Sequence, residues 1–182
     1  TTAIIGSDGR FDPAIVFSLN KNGNPRLAIR NVADYSEQIV HTFSKVNVAT
    51  GDRVHLAVSI DLEAKKIYCY VNGELQQTRN ISAEFEPFEE KHNAVIGGDH
   101  RNGNATYFTG TIESVAVWSD VRTAEEIAAD CKNGITVSDE KLMVAYNFLK
   151  CPEHFLNDLS ANGNNLQHIA LWQDKEDASP VG

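Results

Sequence analysis

The sequence predicts an all-β protein, specifically a two-sheet antiparallel jelly-roll β-sandwich with one short helix near residues 123–132. Short runs in which apolar and polar residues alternate recur along the chain, and Gly, Asn, Asp or Pro separates them. Strands with this spacing and these turn residues are typical of sandwiches and barrels. Only one segment changes to a helical pattern, and it follows directly after a strand-like run.

Period-two alternation locates the individual strands. In RVHLAVSID (53–61), every second residue from Val54 to Ile60 is aliphatic, so these side chains are predicted to share one face. Asn72-Gly73 is the pair preferred in a two-residue type I′ hairpin turn. The alternating or apolar runs that we interpret as strands are 2–7, 14–20, 26–31, 38–44, 53–61, 66–75, 93–99, 110–118, 142–148 and 165–172.

The helical segment begins with a recognisable cap. Thr123 lies three residues before Glu126, the spacing of a capping box, in which the two side chains satisfy free N–H groups of the first turn. Glu125 and Glu126 also lie where the helix dipole favours negative charge, and Gly134 is a plausible left-handed cap. The carboxylates around this helix are therefore interpreted as helix-start and turn residues, not as an active site.

Bulk properties limit the domain count and the partners. A chain of 182 residues with 42% hydrophobic residues fits one globular domain, which we place at 1–172 and follow with a polar tail or linker at 173–182. A net charge of −9 argues against nucleic acid or an anionic membrane as the main partner. No apolar run approaches the roughly 20 residues that a membrane span needs, so no membrane insertion is expected. The three cysteines match neither a disulfide scaffold nor a zinc site.

One strand end is a candidate for hydrolysis. Retaining glycosidases need two carboxylates about 5–5.5 Å apart, and glucanases built on a jelly roll carry a stretch similar to EIDIE at such a strand. The corresponding stretch here is SIDLE (59–63), in which Ser59 stands in place of the first carboxylate. We therefore expect no catalysis from Asp61 and Glu63.

A polar loop is the best candidate for recognition. GGDHRNGNATYF (97–108) combines amides, charged groups and one aromatic ring, which is the mixture that suits sugar hydroxyls and the apolar face of a sugar ring. An ordinary polar loop is the alternative. The residues that we predict to bind ligand are Asp99, His100, Asn102, Asn104 and Tyr107.

A second loop resembles part of a calcium site. DLSANGNN (158–165) places oxygen-bearing residues at alternate positions before a glycine, as in the first half of an EF-hand loop. The twelfth position is Ile169 instead of a carboxylate, which excludes the EF-hand itself. Asx turns explain the same residues without an ion. If calcium is bound, the predicted ligands are Asp158, Ser160 and Asn162, with Asp99 as another candidate.

These segments together resemble a known family. VHLAVSIDLEAKKIYCYVNGEL, AVIGGD and FTGTIESVAVWSDVRTAEEI are similar to laminin-G-like and pentraxin-like modules of the concanavalin A-like superfamily, and DLSANGNN resembles a recurrent element of the bacterial modules. The resemblance covers roughly residues 1–172. The positions that match the pattern G-x-I-x-x-V-x-V-W followed by [ST]-x-x-E-I are Gly110, Ile112, Val115, Val117, Trp118, Thr123, Glu126 and Ile127.

The resemblance implies a non-catalytic module that binds glycans or proteins, often with calcium. It also implies an extracellular or cell-surface location, because the bacterial modules are usually appended to secreted enzymes such as glycosidases, sialidases or metallophosphoesterases. The family normally has further strands before 2–7, which suggests an excised piece. Of the pentraxin calcium ligands, only Asp99 and Asp12 can be matched here, so a double-calcium site of that type is not expected.

Two functions from different classes follow. The leading hypothesis is a carbohydrate-binding module within a larger secreted or surface protein. The alternative is a protein-interaction or spacer domain that docks a neighbouring catalytic domain and binds no glycan. A hydrolase on the same fold is disfavoured because the carboxylate pair is missing.

Overall fold

The computed structural model describes residues 2–7, 15–30, 38–81, 94–99, 106–149 and 157–166. Within these ranges the chain forms short strands and one helix of ten residues. In chain order the elements are β1 (Thr2–Ser7), β2 (Ile15–Leu19), β3 (Pro25–Arg30), β4 (Gln38–Thr42), β5 (Leu56–Asp61), β6 (Lys66–Val71), β7 (Glu74–Asn80), β8 (Ala94–Ile96), β9 (Gly98–Asp99), β10 (Thr106–Tyr107), β11 (Ser114–Trp118), α1 (Ala124–Asn133) and β12 (Leu142–Asn147).

The chain divides into two compact units. The first comprises residues 1–112 and 121–134, and the second comprises residues 113–120 and 135–182. The first unit contains a five-stranded sheet in the order β4-β3-β2-β1-β8, a three-stranded sheet in the order β5-β6-β7, and the β9–β10 pair. The second contains the β11–β12 pair. All of these strand pairs are antiparallel.

The core of the first unit lies between its two larger sheets. Leu27 and Ile29 come from the five-stranded sheet, Ile67 and Cys69 come from the three-stranded sheet, and all four join one buried cluster with Phe43. Burying an aliphatic or aromatic side chain of this size contributes about 1.5–3 kcal/mol. Burial also raises the pKa of the Cys69 thiol to about 12, so this cysteine remains protonated and serves as a small core residue.

The predicted antiparallel β-sandwich with one short helix is confirmed. The strand boundaries differ where turn geometry interrupts the sequence pattern. The segment 66–75 ends at Asn72-Gly73, whose φ angles of +53° and +82° form the predicted hairpin turn, and β7 follows. The segment 93–99 divides into β8 and β9 at Gly97, where φ is +80°. The segment 53–61 becomes a strand only at Leu56.

Some expectations fall on residues that the structure does not describe. The strand predicted at 165–172 lies mainly outside the described residues, and Asn165 and Leu166 are not in a strand. The polar tail 173–182 also lies outside them. Within the described ranges, no helix is both long and apolar enough to cross a membrane.

The start of α1 confirms the predicted capping box. The Thr123 N–H donates to Glu126 Oε2 at 2.8 Å, and the Glu126 N–H donates to Thr123 Oγ1 at 3.2 Å. Arg122, which precedes the cap, reaches Glu126 at 3.3 Å and Asp130 at 3.1 Å. The Arg122 and Asp130 side chains are only 11% and 7% exposed. Both acidic residues therefore have structural partners; the sequence predicted this for Glu126 at the helix start but not for Asp130.

The helix lies against the outer face of the three-stranded sheet, the face opposite the core. The hydroxyl of Ser59 in β5 lies 3.5 Å from the Arg122 carbonyl oxygen. At the β6–β7 turn, a Cβ atom on Gly73 would lie 3.1 Å from Ala128 Cα. Gly73 therefore serves two purposes, because it adopts a positive φ and leaves room for the helix backbone.

Replacement of Gly73 by alanine tests this close approach. Gly51 is a matched control, because its φ of +85° resembles the +82° of Gly73 but a Cβ atom on Gly51 would have no neighbour within 4 Å. We expect Gly73→Ala to lower the free energy of unfolding by about 1–3 kcal/mol more than Gly51→Ala, the typical cost of overpacking. Chemical denaturation measures both. Equal losses would show that helix contact at Gly73 contributes nothing.

The fold is expected to lose stability in mild acid. Burial lowers the pKa of His55 below its usual value of 6.5, partly opposed by the Asp130 carboxylate. Burial and the Arg79 charge lower the pKa of His41 as well. As the pH falls, these two histidines become protonated in the unfolded chain before they do so in the folded protein. Their contribution to the free energy of unfolding is therefore fully present above about pH 6.5 and is lost as the pH drops toward the folded-state pKa values. Denaturation curves between pH 8 and 5 check this; His55→Gln should flatten part of the dependence, and an unchanged profile would contradict it.

Candidate functional site

The predicted recognition loop is held by a short two-stranded hairpin in the first unit. Thr106 pairs with Asp99, and Tyr107 pairs with Gly98. The Gly97 N–H donates to the Ile4 carbonyl at 2.7 Å, which attaches the base of the hairpin to β1. The Phe108 N–H donates to the Gly97 carbonyl at 2.9 Å and closes the base. The hairpin backbone is therefore fixed by the adjoining sheet.

The structure places two of the five predicted ligand residues on this hairpin. Asp99 and Tyr107 lie on opposite strands and are offset by one position, and Tyr107 is 40% exposed. The other three, His100, Asn102 and Asn104, lie outside the described residues. The exposed Tyr107 ring provides an apolar surface on which a sugar ring can stack, and the polar residues predicted to bind precede it in the sequence.

The strand considered for hydrolysis has other contacts. Ser59 is buried at 6% exposure beneath the segment that leads into α1. Asp61 Oδ1 accepts the Ala64 N–H at 2.7 Å, which caps the β5–β6 turn. Glu63 is an exposed residue of that turn. No pair of facing carboxylates forms at this place, since the first position is both non-acidic and covered.

The second loop, residues 157–166, is organised around Asp158 in the second unit. Its Oδ1 accepts the N–H groups of Ala145 and Ser160, each at 2.9 Å. Its Oδ2 accepts the Ser160 hydroxyl at 2.8 Å and the Asn164 N–H at 2.9 Å. Each carboxylate oxygen therefore has two protein donors, which is the hydrogen-bonded turn that the sequence offered as the alternative to a calcium loop.

This loop also covers the outer edge of β12. The Leu159 N–H donates to the Ala145 carbonyl at 2.8 Å, while Asn162 Nδ2 donates to the carbonyls of Leu142 and Met143 at 3.0 and 2.9 Å. A strand edge would otherwise present these groups to solvent or to another chain. The polar residues of the loop therefore take the place of a neighbouring strand.

These contacts bear on the calcium prediction. A calcium ion takes six to eight oxygen ligands, yet both oxygens of Asp158 already accept N–H or O–H donors, and Asn162 presents its amide nitrogen to carbonyl groups. Within the described ranges, no three His, Cys, Asp or Glu side chains group together as a metal site would require. As arranged, Asp158, Ser160 and Asn162 do not fit a calcium ion.

The other two predicted calcium ligands are not part of this loop. Asp99 belongs to the first unit, and Asp12 lies outside the described residues. Burial alone would raise the pKa of Asp158, but the hydrogen bonds from Ala145, Ser160 and Asn164 lower it below its usual value. The carboxylate is therefore held in its charged form by protein donors, and calcium stays a prediction that these contacts disfavour.

Sequence reasoning missed Arg122, which is the partner of two carboxylates. The signal was present, because Glu126 and Asp130 are four residues apart and so lie on one side of the helix, and Arg122 stands four residues before Glu126. The edge contacts of β12 left no comparable signal, since Asp158 and Ala145 are thirteen residues apart.

Replacement of Asp158 by asparagine tests its structural role. The amide group cannot accept donors at both former oxygen positions, so buried N–H groups lose their partner. We expect the free energy of unfolding to fall by about 1–3 kcal/mol, measured by chemical denaturation. Asp52→Asn, an exposed aspartate elsewhere in the chain, is the control and should have little effect.

Calcium distinguishes the two roles of Asp158. If the loop is held by hydrogen bonds alone, the melting temperature should be the same in calcium and in chelator. A ligand that binds only the folded state must raise it. A calcium-dependent rise that Asp158→Asn removes would contradict the hydrogen-bonding account and restore the ion site.

Comparison with known proteins gives a family and several solved structures. A laminin-G family model, described as concanavalin A-like lectin/glucanases superfamily, matches residues 1–128. No curated protein matches the chain. The CBM40 module of the Ruminococcus gnavus IT-sialidase is similar in structure, with a TM-score of 0.55 and 23% identity over 70% of this chain and 72% of that one.

Two further structures are similar. The same CBM40 module bound to α2,3 sialyllactose gives a TM-score of 0.55 at 23% identity, again over 70% of this chain and 72% of that one. A putative carbohydrate-binding protein from Bacteroides ovatus gives 0.59 at 20% identity, over 80% of this chain but only 40% of that protein. At these identities the likenesses establish the fold.

Proposed function

The chain belongs to the concanavalin A-like lectin/glucanases superfamily, and on that premise we propose that it is a non-catalytic carbohydrate-binding module. The observation that carries the proposal is the hairpin that holds Asp99 and the exposed Tyr107 at the base of the polar loop. Support also comes from the solved structures of the same fold, since one is a carbohydrate-binding module bound to α2,3 sialyllactose.

The proposed absence of catalysis rests on the β5 strand. Hydrolysis of a glycoside needs two carboxylates on either side of the bond. Ser59 occupies the first position and is covered by the segment before α1, and Asp61 holds the adjoining turn. A binding function requires neither carboxylate.

We propose further that the module belongs to a larger secreted enzyme or surface protein outside the cell, with a hydrolase such as a glycosidase or metallophosphoesterase as the candidate enzyme. The proposal is supported by the sialidase origin of one similar module and by the short share, 40%, of the Bacteroides ovatus protein that this chain covers. A single small site gives affinity in the range of about 1 μM to 1 mM, and neighbouring modules add avidity.

A specific observation favours the alternative of a protein-docking domain. Several apolar side chains of the second unit are exposed, and Met143, at 48% exposure, lies at the register shift beside Val117, at 38%. Exposed apolar side chains on neighbouring strands are a feature of protein interaction sites when they form a continuous patch. The two functions differ in their ligand, so a glycan array screened with the pure protein, with and without a chelator, separates them. Failure to bind any glycan favours docking.

Tyr107 is the residue to change in the hairpin. If its ring stacks on a sugar, Tyr107→Ala should weaken glycan binding by about 1–3 kcal/mol, by analogy with aromatic stacking on nucleic acid bases, while the melting temperature barely changes. Isothermal titration with the glycan that binds best on the array measures the loss.

Two controls accompany the Tyr107 variant. Tyr107→Phe keeps the ring and should retain most of the affinity. Val40→Ala changes an apolar side chain of similar exposure, 41%, on the five-stranded sheet and should bind like the original protein. Unchanged binding by Tyr107→Ala would remove the hairpin from the site, and turnover of a polysaccharide that Asp61→Ala or Glu63→Ala abolishes would contradict the non-catalytic proposal.

A further inference from the structure

The outer face of the three-stranded sheet carries two aligned rows of side chains. Strand register places Ser59, Tyr68 and Thr78 in one row across β5, β6 and β7, and places Asp61, Lys66 and Asn80 in the next. Side chains alternate between the faces of a strand. Since Ile67 and Cys69 point into the core, both rows lie on the opposite, outer face.

The helix covers only one part of this face. Tyr70, in the next row toward the β6–β7 turn, is 5% exposed. Burial, and to a smaller extent the nearby Tyr68 and the Glu125 carboxylate of α1, raise the pKa of its phenol group. Ser59 is buried beneath Arg122. The part toward the β5–β6 turn stays accessible, and we name it the outer-face platform: Asp61, Lys66, Tyr68, Thr78 and Asn80. Lys66, Thr78 and Asn80 are exposed, and Asp61 and Tyr68 are half-buried.

The polar groups of the platform are available to a ligand. Asp61 uses Oδ1 for the Ala64 N–H. The side chains of Lys66, Tyr68, Thr78 and Asn80 make no hydrogen bond or ion pair with any other residue in the described part of the chain. The Tyr68 ring thus has the Thr78 hydroxyl beside it and a carboxylate, an ammonium group and an amide in the next row of the same sheet.

These groups suit a sugar better than a protein. The centre of a protein interface is depleted in charged residues, whereas the platform has two charges and a single ring. Cross-strand neighbours lie about 4.5–5.5 Å apart, which is close to the width of a pyranose ring. We propose that the outer-face platform is a second carbohydrate-contact surface, in which one pyranose residue stacks on Tyr68 and its hydroxyl groups bond to Thr78, Asn80 and Lys66.

This inference rests on the proposed carbohydrate-binding function but concerns a different surface from the Tyr107 hairpin. The test uses the full chain and the oligosaccharide that binds best on a glycan array. Tyr68→Ala should weaken its binding about five- to a hundredfold, the range that corresponds to the stacking of one ring. Tyr68→Phe should lose much less, and Asn80→Ala should weaken binding by a smaller factor without touching the ring.

A measurement on the unaltered protein covers the case in which Tyr68→Ala does not fold. Titration with the same oligosaccharide should shift the amide resonances of β6 and β7 near Tyr68 and Thr78. The platform alone would be overturned by the following result: Tyr107→Ala abolishes binding, the Tyr68 and Asn80 variants bind like the original protein, and no resonance on β6 or β7 shifts. An array on which no glycan binds would overturn the proposed function and the platform with it.

Discussion

The docking of α1 on the three-stranded sheet is the constraint on which the accessible surface of the first unit depends. The Arg122 carbonyl oxygen lies 3.5 Å from the Ser59 hydroxyl of this sheet. The Arg122 side chain is almost fully buried with its partner Asp130, and removal of one partner from such a pair typically costs about 3–5 kcal/mol because the other charge remains buried. Gly73 lets the helix backbone approach the β6–β7 turn. Because the helix is held at both its start and this turn, it covers Ser59 and Tyr70 but leaves Tyr68 accessible.

The second unit solves a different problem, the open edge of β12. A loop rather than a strand satisfies this edge, and Asp158 organises the loop by accepting four donors. The residues that resemble a calcium loop, oxygen-bearing side chains before a glycine, are also the residues that form Asx turns. Sequence alone does not distinguish a calcium loop from Asx turns, because both use the same oxygens. The distinguishing contact is the hydrogen bond from the Ala145 N–H to the Asp158 carboxylate, which comes from another part of the chain.

Features fixed by neighbouring residues were predictable, and features fixed by distant ones were not. The Thr123–Glu126 capping box and the Asn72-Gly73 turn are local and were found. β7 has the sequence ELQQTRN, which shows no apolar alternation because polar residues, Gln77 and Arg79, stand at the positions that pair with the core residues Cys69 and Ile67. Only the turn before it therefore indicated a strand. The burial of Arg122 and the contact between Gly73 and Ala128 required the packing of the helix. For the candidate site, the sequence pattern indicated Asp99 and Tyr107, which share a hairpin, but contained no signal for the ring at Tyr68.

The distribution of polar groups on the three-stranded sheet favours recognition over catalysis. A hydrolase needs charged groups that are partly desolvated and held on both sides of one bond. Here the desolvated part of the outer face holds Ser59 and Tyr70, with the ion pair of Arg122 and Asp130 already neutralised. Polar groups without a partner among the described residues belong to Lys66, Thr78 and Asn80, and they are exposed to water. Each hydrogen bond that they make to a ligand replaces one to solvent, so it contributes only about 0.5–1.5 kcal/mol. Under the proposed function, such a surface would bind a sugar weakly and reversibly, which would be adequate for a module that works beside others.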